Sequence, residues 1–260
     1  MQKISHNDST YLSTPVRVSL FNRTFPSLSF YPKFFWIIFK ASRLAKQGAV
    51  YDGEAWGMSS LAVIRALEKV GITIQTTGLS FLQQTPGPVV FVGNHLSVLE
   101  TVVLPAHIIP YKPVTFVVKQ SLIEMPVFKH IMRSREPIVV TRTNPRHDLK
   151  VVLQDGCERL SRGISIIIFP QTTRAPFNPE QFSTIAIKLA KKADVPVIPL
   201  ALLTDAWENG RLIKDFGRIK PARKVHFAFG EPLKVEGKGR EAHQAVINFI
   251  QKHIERWETD

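Results

Sequence analysis

Seven short runs of β-branched and aliphatic residues recur between Gly71 and Gly230: GITIQTTG, PVVFVG, PVTFVV, PIVVTR, SIIIFP, VPVIPLAL and KVHFAFG. Several are separated by segments of helical period. Strands that are apolar nearly throughout are buried on both faces, which an antiparallel sheet with one wet face does not require. The pattern therefore predicts an α/β fold, a largely parallel central sheet covered by helices on both faces. The clearest helix begins near Asp148 and places Leu149, Val152, Leu153, Cys157 and Leu160 on one face, with Lys150, Asp155, Glu158 and Arg159 outside. It stops at Gly163, a residue suited to the helix C-terminus. An earlier helix over Ala55 to Val70 carries Leu61, Ile64, Leu67 and Val70 at helical spacing and ends at Gly71.

A chain of 260 residues with 44% apolar side chains supports one sizeable core rather than two. We expect an α/β domain over 72–260, preceded over 1–71 by a flexible segment and membrane-associating helices. Residues 1–32 read as loosely packed, being rich in Ser, Thr, Asn and Pro without a sustained period. The following stretch, YPKFFWIIFKASRLAK, combines aromatic bulk with flanking cations. That composition suits a helix lying in a membrane interface, and equally an ordinary amphipathic helix packed on the core. Its most apolar part, Phe34 to Phe39, falls far short of the roughly 20 residues that span a bilayer. The first residues lack the basic and then continuously apolar regions of a secretory signal, so no export is expected. A single cysteine, Cys157, excludes an internal disulfide framework and points to a reducing compartment, by default the cytosol. Thirty-four Lys plus Arg against 21 Asp plus Glu give a net charge of +13, which favours a polyanionic partner. An anionic membrane and a phosphorylated substrate both fit. Nucleic acid is disfavoured, because the cations are spread along the chain without a binding motif.

The stretch GNHLSVLE, Gly93 to Glu100, follows the strand PVVFV and opens a helix, so His95 should lie at the C-terminal edge of the sheet, where open α/β folds hold ligands. Ser97 and Glu100 fit a capping box, which accounts for both of them and leaves His95 unexplained. Within one helix, His95 and Glu100 would point about 140° apart and could not meet. In an extended turn before the helix, the imidazole can fold back over the first turn, where a carboxylate would fix its tautomer. The pair would then be a positioned general base for an alcohol, with backbone N–H groups near the helix start available to an oxyanion.

The order Asn-His-x-Ser followed by an acid resembles the N-H-x-S-x-x-D signature of the lysophosphatidic acid acyltransferase family of glycerolipid acyltransferases. Four later blocks are similar to that family in order: VVKQSLIEMPVFKHIM, REPIVVTR, SIIIFPQTTR and VPVIPLAL. The likeness runs from about Ile72 to Gly230. Three departures stand out. The family's Asp is Glu100, the Gly that usually opens the second block falls on Glu136, and the Glu-Gly of the third block is Gln171-Thr172. Gln171 has lost a formal charge but still donates and accepts hydrogen bonds, so it can orient the acceptor or the loop.

The resemblance implies an acyltransferase moving a fatty acyl chain from acyl-CoA or acyl carrier protein to the free hydroxyl of a lysophospholipid, above all 1-acyl-glycerol-3-phosphate. His95 would be the base and Glu100 its orienting acid. Lys119 and Arg142 each end a strand run, Arg174 follows SIIIF and a Pro-x-Thr-Thr turn, and the three would meet on one rim to bind the phosphate if those strands are parallel neighbours. Gln171, Thr172 and Thr173 complete the acceptor site in this reading. No cofactor is implied, and no His, Cys or carboxylate grouping has metal-ligand spacing, so no metal is expected. The substrates imply peripheral attachment to the inner face of the cell membrane. Another lysolipid, such as lysophosphatidylethanolamine or a lyso-aminolipid, is the alternative acceptor, and a non-catalytic lipid-binding protein the alternative class. The segment TDAWENGRLIKDFG reads as a polar loop with no chemistry to assign.

Overall fold

The computed structural model describes residues 9–14, 16–48, 51–126, 128–171, 173–211 and 213–259. In chain order they form β1 (Thr10–Leu12), α1 (Leu20–Thr24), α2 (Pro26–Lys46), α3 (Gly53–Glu68), β2 (Ile74–Thr77), α4 (Leu79–Gln84) and β3 (Val90–Gly93). Next come α5 (Leu99–Ile108), β4 (Val114–Lys119), α6 (Gln120–Glu124), α7 (Lys129–Arg133), β5 (Ile138–Val140), α8 (Pro145–Ser161) and β6 (Ser165–Ile168). The chain closes with α9 (Ile185–Ala193), β7 (Val197–Leu203), β8 (Val225–Phe229) and α10 (Arg240–Thr259).

All seven strand runs read from the sequence are strands, and among the described residues they join β1 in one sheet of order β1-β2-β8-β7-β3-β6-β4-β5. From β7 to β5 every neighbouring pair is parallel. β8 runs antiparallel to β7 and parallel to β2, while β1 is antiparallel to β2, so the sheet is mixed but mostly parallel. The strands β3 and β6 at its centre are buried at every position, as expected for a sheet covered on both faces. One hydrophobic cluster joins α2, α3 and α5 to one face, and a second joins α8, α9 and α10 to the other.

The N-terminal region differs from the expectation of loose packing. Thr10 to Leu12 add an edge strand, and the Tyr11 hydroxyl donates to Glu68 of α3. α2 begins at Pro26, five residues before the aromatic stretch that opens at Tyr31. Pro26 sits in its first turn, where a missing N–H leaves nothing unsatisfied. Phe30, Phe34, Ile38 and Ala41 then form one buried stripe. A strand of three residues, and first helical turns that carry Pro26, Ser27 and Ser29, show too few apolar periods for sequence pattern to register. The opposite side of α2 keeps Leu28, Phe35, Trp36 and Phe39 exposed, next to Lys33, Lys40, Arg43 and Lys46. No helix among the described residues is long and apolar enough to cross a membrane.

Because β7, β3, β6, β4 and β5 share a direction, their C-terminal ends lie along one edge. The turns leaving those ends build the site.

Candidate active site

The turn after β3 starts at Gly93 because the backbone there is pressed against β7: a Cβ at Gly93 would stand 2.8 Å from the Leu200 carbonyl oxygen. The fully buried Asn94 continues the ladder with its side chain, donating to the Leu202 carbonyl at 2.8 Å and accepting from the Leu202 N–H at 2.9 Å. Ser97 donates to the Thr204 carbonyl at 3.0 Å and accepts from the Leu99 N–H at 3.1 Å. Both flanks of His95 are thus fixed to the end of β7.

Glu100 closes the start of the helix and also lies beside His95. Its fully buried carboxylate accepts from the Leu96 N–H at 2.6 Å and from the Ser97 N–H at 2.9 Å, closing the start of α5. The same group lies 3.6 Å from Nδ1 of His95. That separation is longer than a hydrogen bond, and Nδ1 has no hydrogen-bond partner among the described residues. The imidazole stacks on Phe169, beyond the end of β6, with centroids 4.5 Å apart and planes within 3°. The N–H groups of Leu96, Ser97 and Leu99 are already taken by Glu100 and Ser97 and are not available to an oxyanion.

The loop after β6 is knitted to this turn. Gln171, buried, accepts from the His95 N–H at 3.2 Å and donates to the carbonyls of Ala175 and Pro176, each at 3.3 Å. The Ala175 N–H donates to the His95 carbonyl at 3.1 Å. Gln171 therefore orients the loop. Thr172 lies outside the described residues. Thr173 accepts from the Lys214 ammonium at 2.6 Å, and the Arg174 guanidinium pairs with Asp215 through Nη2. Nη1 of Arg174 is buried without a hydrogen-bond partner among the described residues. Lys214 and Asp215 belong to the segment read from sequence as a loop without chemistry. They reach the site from 41 residues away in the chain, and no local signal marks them.

Lys119 ends β4, and Arg142 follows β5, so the three cations do occupy neighbouring parallel strand ends. Arg142 has φ +62°, a left-handed conformation that costs energy for a side chain with a Cβ. Asp148, one turn into α8, offsets that cost by accepting from the Arg142 N–H at 2.7 Å and the Thr141 N–H at 2.9 Å. Sequence reading placed Asp148 only as the start of the helix. The Asn144-Pro145 pair, which caps α8 and occupies its first turn, was the signal that would have aimed Asp148 back at the turn. Although Arg142 keeps much of its surface in solvent, enclosure of its guanidinium and the nearby Arg174 hold its pKa below the usual arginine value. Glu136, at the family's glycine position, has φ +46° and pays for it with a carboxylate hydrogen-bonded to Arg162 at 2.7 Å.

These groups face a cavity of about 660 Å³, lined by His95, Lys119, Arg142, Thr173, Arg174, Lys214 and Asp215 on its polar side. The remaining wall is largely apolar, with Phe34 and Ile38 of α2, Trp56 and Val63 of α3, Val102 of α5 and Phe116 of β4. A larger groove of about 850 Å³ lies beyond Arg174, but His95 does not line it. The His95 imidazole therefore faces the smaller cavity, which joins an imidazole beside a buried carboxylate, a cationic patch, and an apolar wall.

Comparison with known proteins agrees. Residues 73–203, half of the chain, match the acyltransferase family profile. The chain is 28% identical to a 1-acyl-sn-glycerol-3-phosphate acyltransferase of Pseudomonas aeruginosa over 188 residues, 72% of this chain and 68% of that protein. It is 30% identical over 132 residues to the chloroplastic 1-acyl-sn-glycerol-3-phosphate acyltransferase BAT2 of Brassica napus, covering 48% of this chain and 36% of that one. In three dimensions it resembles the crystal structure of the 1-acyl-sn-glycerophosphate (LPA) acyltransferase PlsC from Thermotoga maritima. The TM-score is 0.67 at 18% identity, over 92% of this chain and 98% of the other. With the matched region running from β2 through β7 and containing His95, Glu100, Lys119, Arg142 and Arg174, the chain belongs to the acyltransferase family.

Proposed function

We propose that this acyltransferase transfers a fatty acyl chain from acyl-CoA or acyl carrier protein to the free hydroxyl of 1-acyl-glycerol-3-phosphate. The observation that carries the reading is the Nδ1 contact of His95 to buried Glu100, 3.6 Å, at the boundary between the cationic and apolar parts of one cavity. Glu100 orients the ring so that Nε2 is the basic nitrogen. As the acceptor oxygen attacks the thioester carbonyl, His95 removes its proton. The C–S bond then breaks, and the thiolate takes that proton from the imidazolium, leaving an ester and a free thiol. No covalent enzyme intermediate is needed. The N–H groups of Leu96, Ser97 and Leu99 are taken, the cations of the rim stabilise the developing oxyanion, and holding both substrates together supplies further rate. Lys119, Arg142 and Arg174 bind the phosphate, Thr173 adds a hydroxyl, and the apolar wall takes an acyl chain. Gln171 holds the loop that carries Arg174, and Thr172 is assigned to the acceptor site with its neighbours.

The division of labour in the chain follows. Residues 1–71 attach the enzyme peripherally to the anionic inner face of the cell membrane, and 72–260 carry the chemistry. The exposed aromatic and basic side of α2 supports this, since Trp36 and Phe39 would enter the interface while Lys33, Lys40 and Arg43 meet lipid phosphates. The test is acyl transfer to 1-acyl-glycerol-3-phosphate from each thioester donor, run beside His95→Ala. Turnover that survives the substitution undiminished overturns the mechanism.

A further inference from the structure

The Arg174–Asp215 pair places a carboxylate inside the cationic patch assigned to the acceptor phosphate. Arg174 and Asp215 are each about one-fifth exposed, at 20% and 19%, so their interaction is only partly screened by water. Asp215 is held there by its loop. The Tyr31 hydroxyl of α2 donates to the Gly217 carbonyl, Phe216 packs against Phe35 with centroids 5.3 Å apart, and Asn209 donates to the Leu96 carbonyl at 3.0 Å. The loop is thereby anchored both to α2 and to the residue after His95. The other charged or titratable groups lining the cavity are His95 from the turn after β3, Lys119 from β4, Arg142 from the turn after β5, Lys214 from the same loop, and Tyr51 between α2 and α3. Asp148 stands behind Arg142.

A phosphate that binds Arg174 must share the guanidinium with this carboxylate. The repulsion between them grows with the charge on the phosphate. A phosphomonoester is doubly negative above its second pKa of about 6, whereas a phosphodiester stays singly negative. An ammonium on the far side of a diester would add attraction. From this geometry we infer that Asp215 is a specificity determinant for the charge on the acceptor phosphate, disfavouring the doubly ionised monoester relative to diester-linked lysophospholipids whose phosphate carries one charge, such as lysophosphatidylethanolamine. The inference rests on the proposed function and refines its acceptor class.

The experiment measures KM and kcat of the full-length chain for 1-acyl-glycerol-3-phosphate and for lysophosphatidylethanolamine in the same detergent micelles, from pH 5.5 to 8. Wild type is compared with Asp215→Asn, Asp215→Ser and Asp215→Glu. For the monoester, Asp215→Asn should lower KM about 10-fold at pH 8 and by much less at pH 5.5, with kcat little changed. For the diester, KM should stay within about twofold or rise, without a pH trend, and Asp215→Glu should restore the wild-type ratio. Thermal melting of each variant establishes that it folds, and Asp215→Ser provides the same test if the Asn variant does not. An equal change for both acceptors, a rise in KM for the monoester, or a change independent of pH overturns the inference and makes Asp215 a mere support for Arg174. If wild type acylates neither acceptor, or His95→Ala turns over as wild type does, the proposed function itself has failed.

Discussion

Gln171 and His95 are joined by a hydrogen bond from the His95 N–H to the Gln171 side-chain oxygen, 3.2 Å long, while the amide nitrogen of Gln171 serves the carbonyls of Ala175 and Pro176. One side chain therefore accepts on the side of the base and donates on the side of the Arg174 loop. An amide does both at neutral pH, whereas an ionised carboxylate only accepts.

Replacing Gln171 by the glutamate found in the family's motif should for that reason harm this protein. Gln171→Glu would set a buried carboxylate against two carbonyl oxygens and remove both donated bonds, a cost of about 2–4 kcal/mol. We expect a lower melting temperature and a kcat/KM reduced about 10-fold for every acceptor. Protonation would restore a donor, so the introduced acid should have a raised pKa in the folded state. The loss should then shrink as pH falls, which thermal melts from pH 5 to 8 would reveal. Improved turnover at neutral pH would contradict the assignment.

The His95 and Glu100 pair should separate in kinetics. Loss of a general base costs roughly 10²–10⁴ in rate, so His95→Ala should abolish most of kcat while leaving acceptor KM and melting temperature nearly unchanged. Glu100→Ala should do more, because it also strips the acceptor from the N–H groups of Leu96 and Ser97. The buried Ser97 donor left unsatisfied costs about 1–3 kcal/mol, and the part-buried Leu96 donor adds less. A combined loss of activity and stability for Glu100→Ala, against loss of activity alone for His95→Ala, is the pattern to look for in paired assays and denaturant melts.

Asp148 makes stability depend on acid. Burial pushes its carboxyl pKa up, but the N–H groups of Thr141 and Arg142 and the Thr141 hydroxyl outweigh that and hold it below the ordinary value. A pKa lower in the folded than in the unfolded chain means that the unfolded chain binds more protons between the two values. The contribution of Asp148 is thus fully present above the unfolded value of about 4, and is lost as pH falls through the folded one. Wild type should exceed Asp148→Asn in stability at pH 7, with the gap closing below about pH 4 in urea titrations. Because Asp148 holds the left-handed turn of Arg142, the variant should also raise acceptor KM.

Membrane attachment should weaken when α2 loses its exposed aromatics. Trp36 and Phe39 are 62% and 54% exposed and stack on one another, so removing them leaves the core intact. At about 1.5–3 kcal/mol for each large side chain transferred to an apolar phase, Trp36→Ala with Phe39→Ala should reduce partitioning onto anionic vesicles at least 10-fold. Raising the salt should weaken binding of wild type and variant alike. Unchanged sedimentation with vesicles would remove α2 from the attachment site.

Sequence alone determined the layered α/β plan, all seven of the strands it proposed, and the placing of His95, Lys119, Arg142 and Arg174 at strand ends on one rim. Those features follow from local pattern: β-branched runs buried on both faces, helical period between them, and turns wherever a run ends. Tertiary structure alone decided three things. It put Tyr11 and Phe30 of the N-terminal region into the fold, it made Gln171 a clamp between two turns, and it brought Asp215 to Arg174. Each depends on partners dozens to more than a hundred residues apart, and on elements too short or too irregular to carry a period. Contacts of that kind arise only when separate turns pack together at the same edge of the sheet.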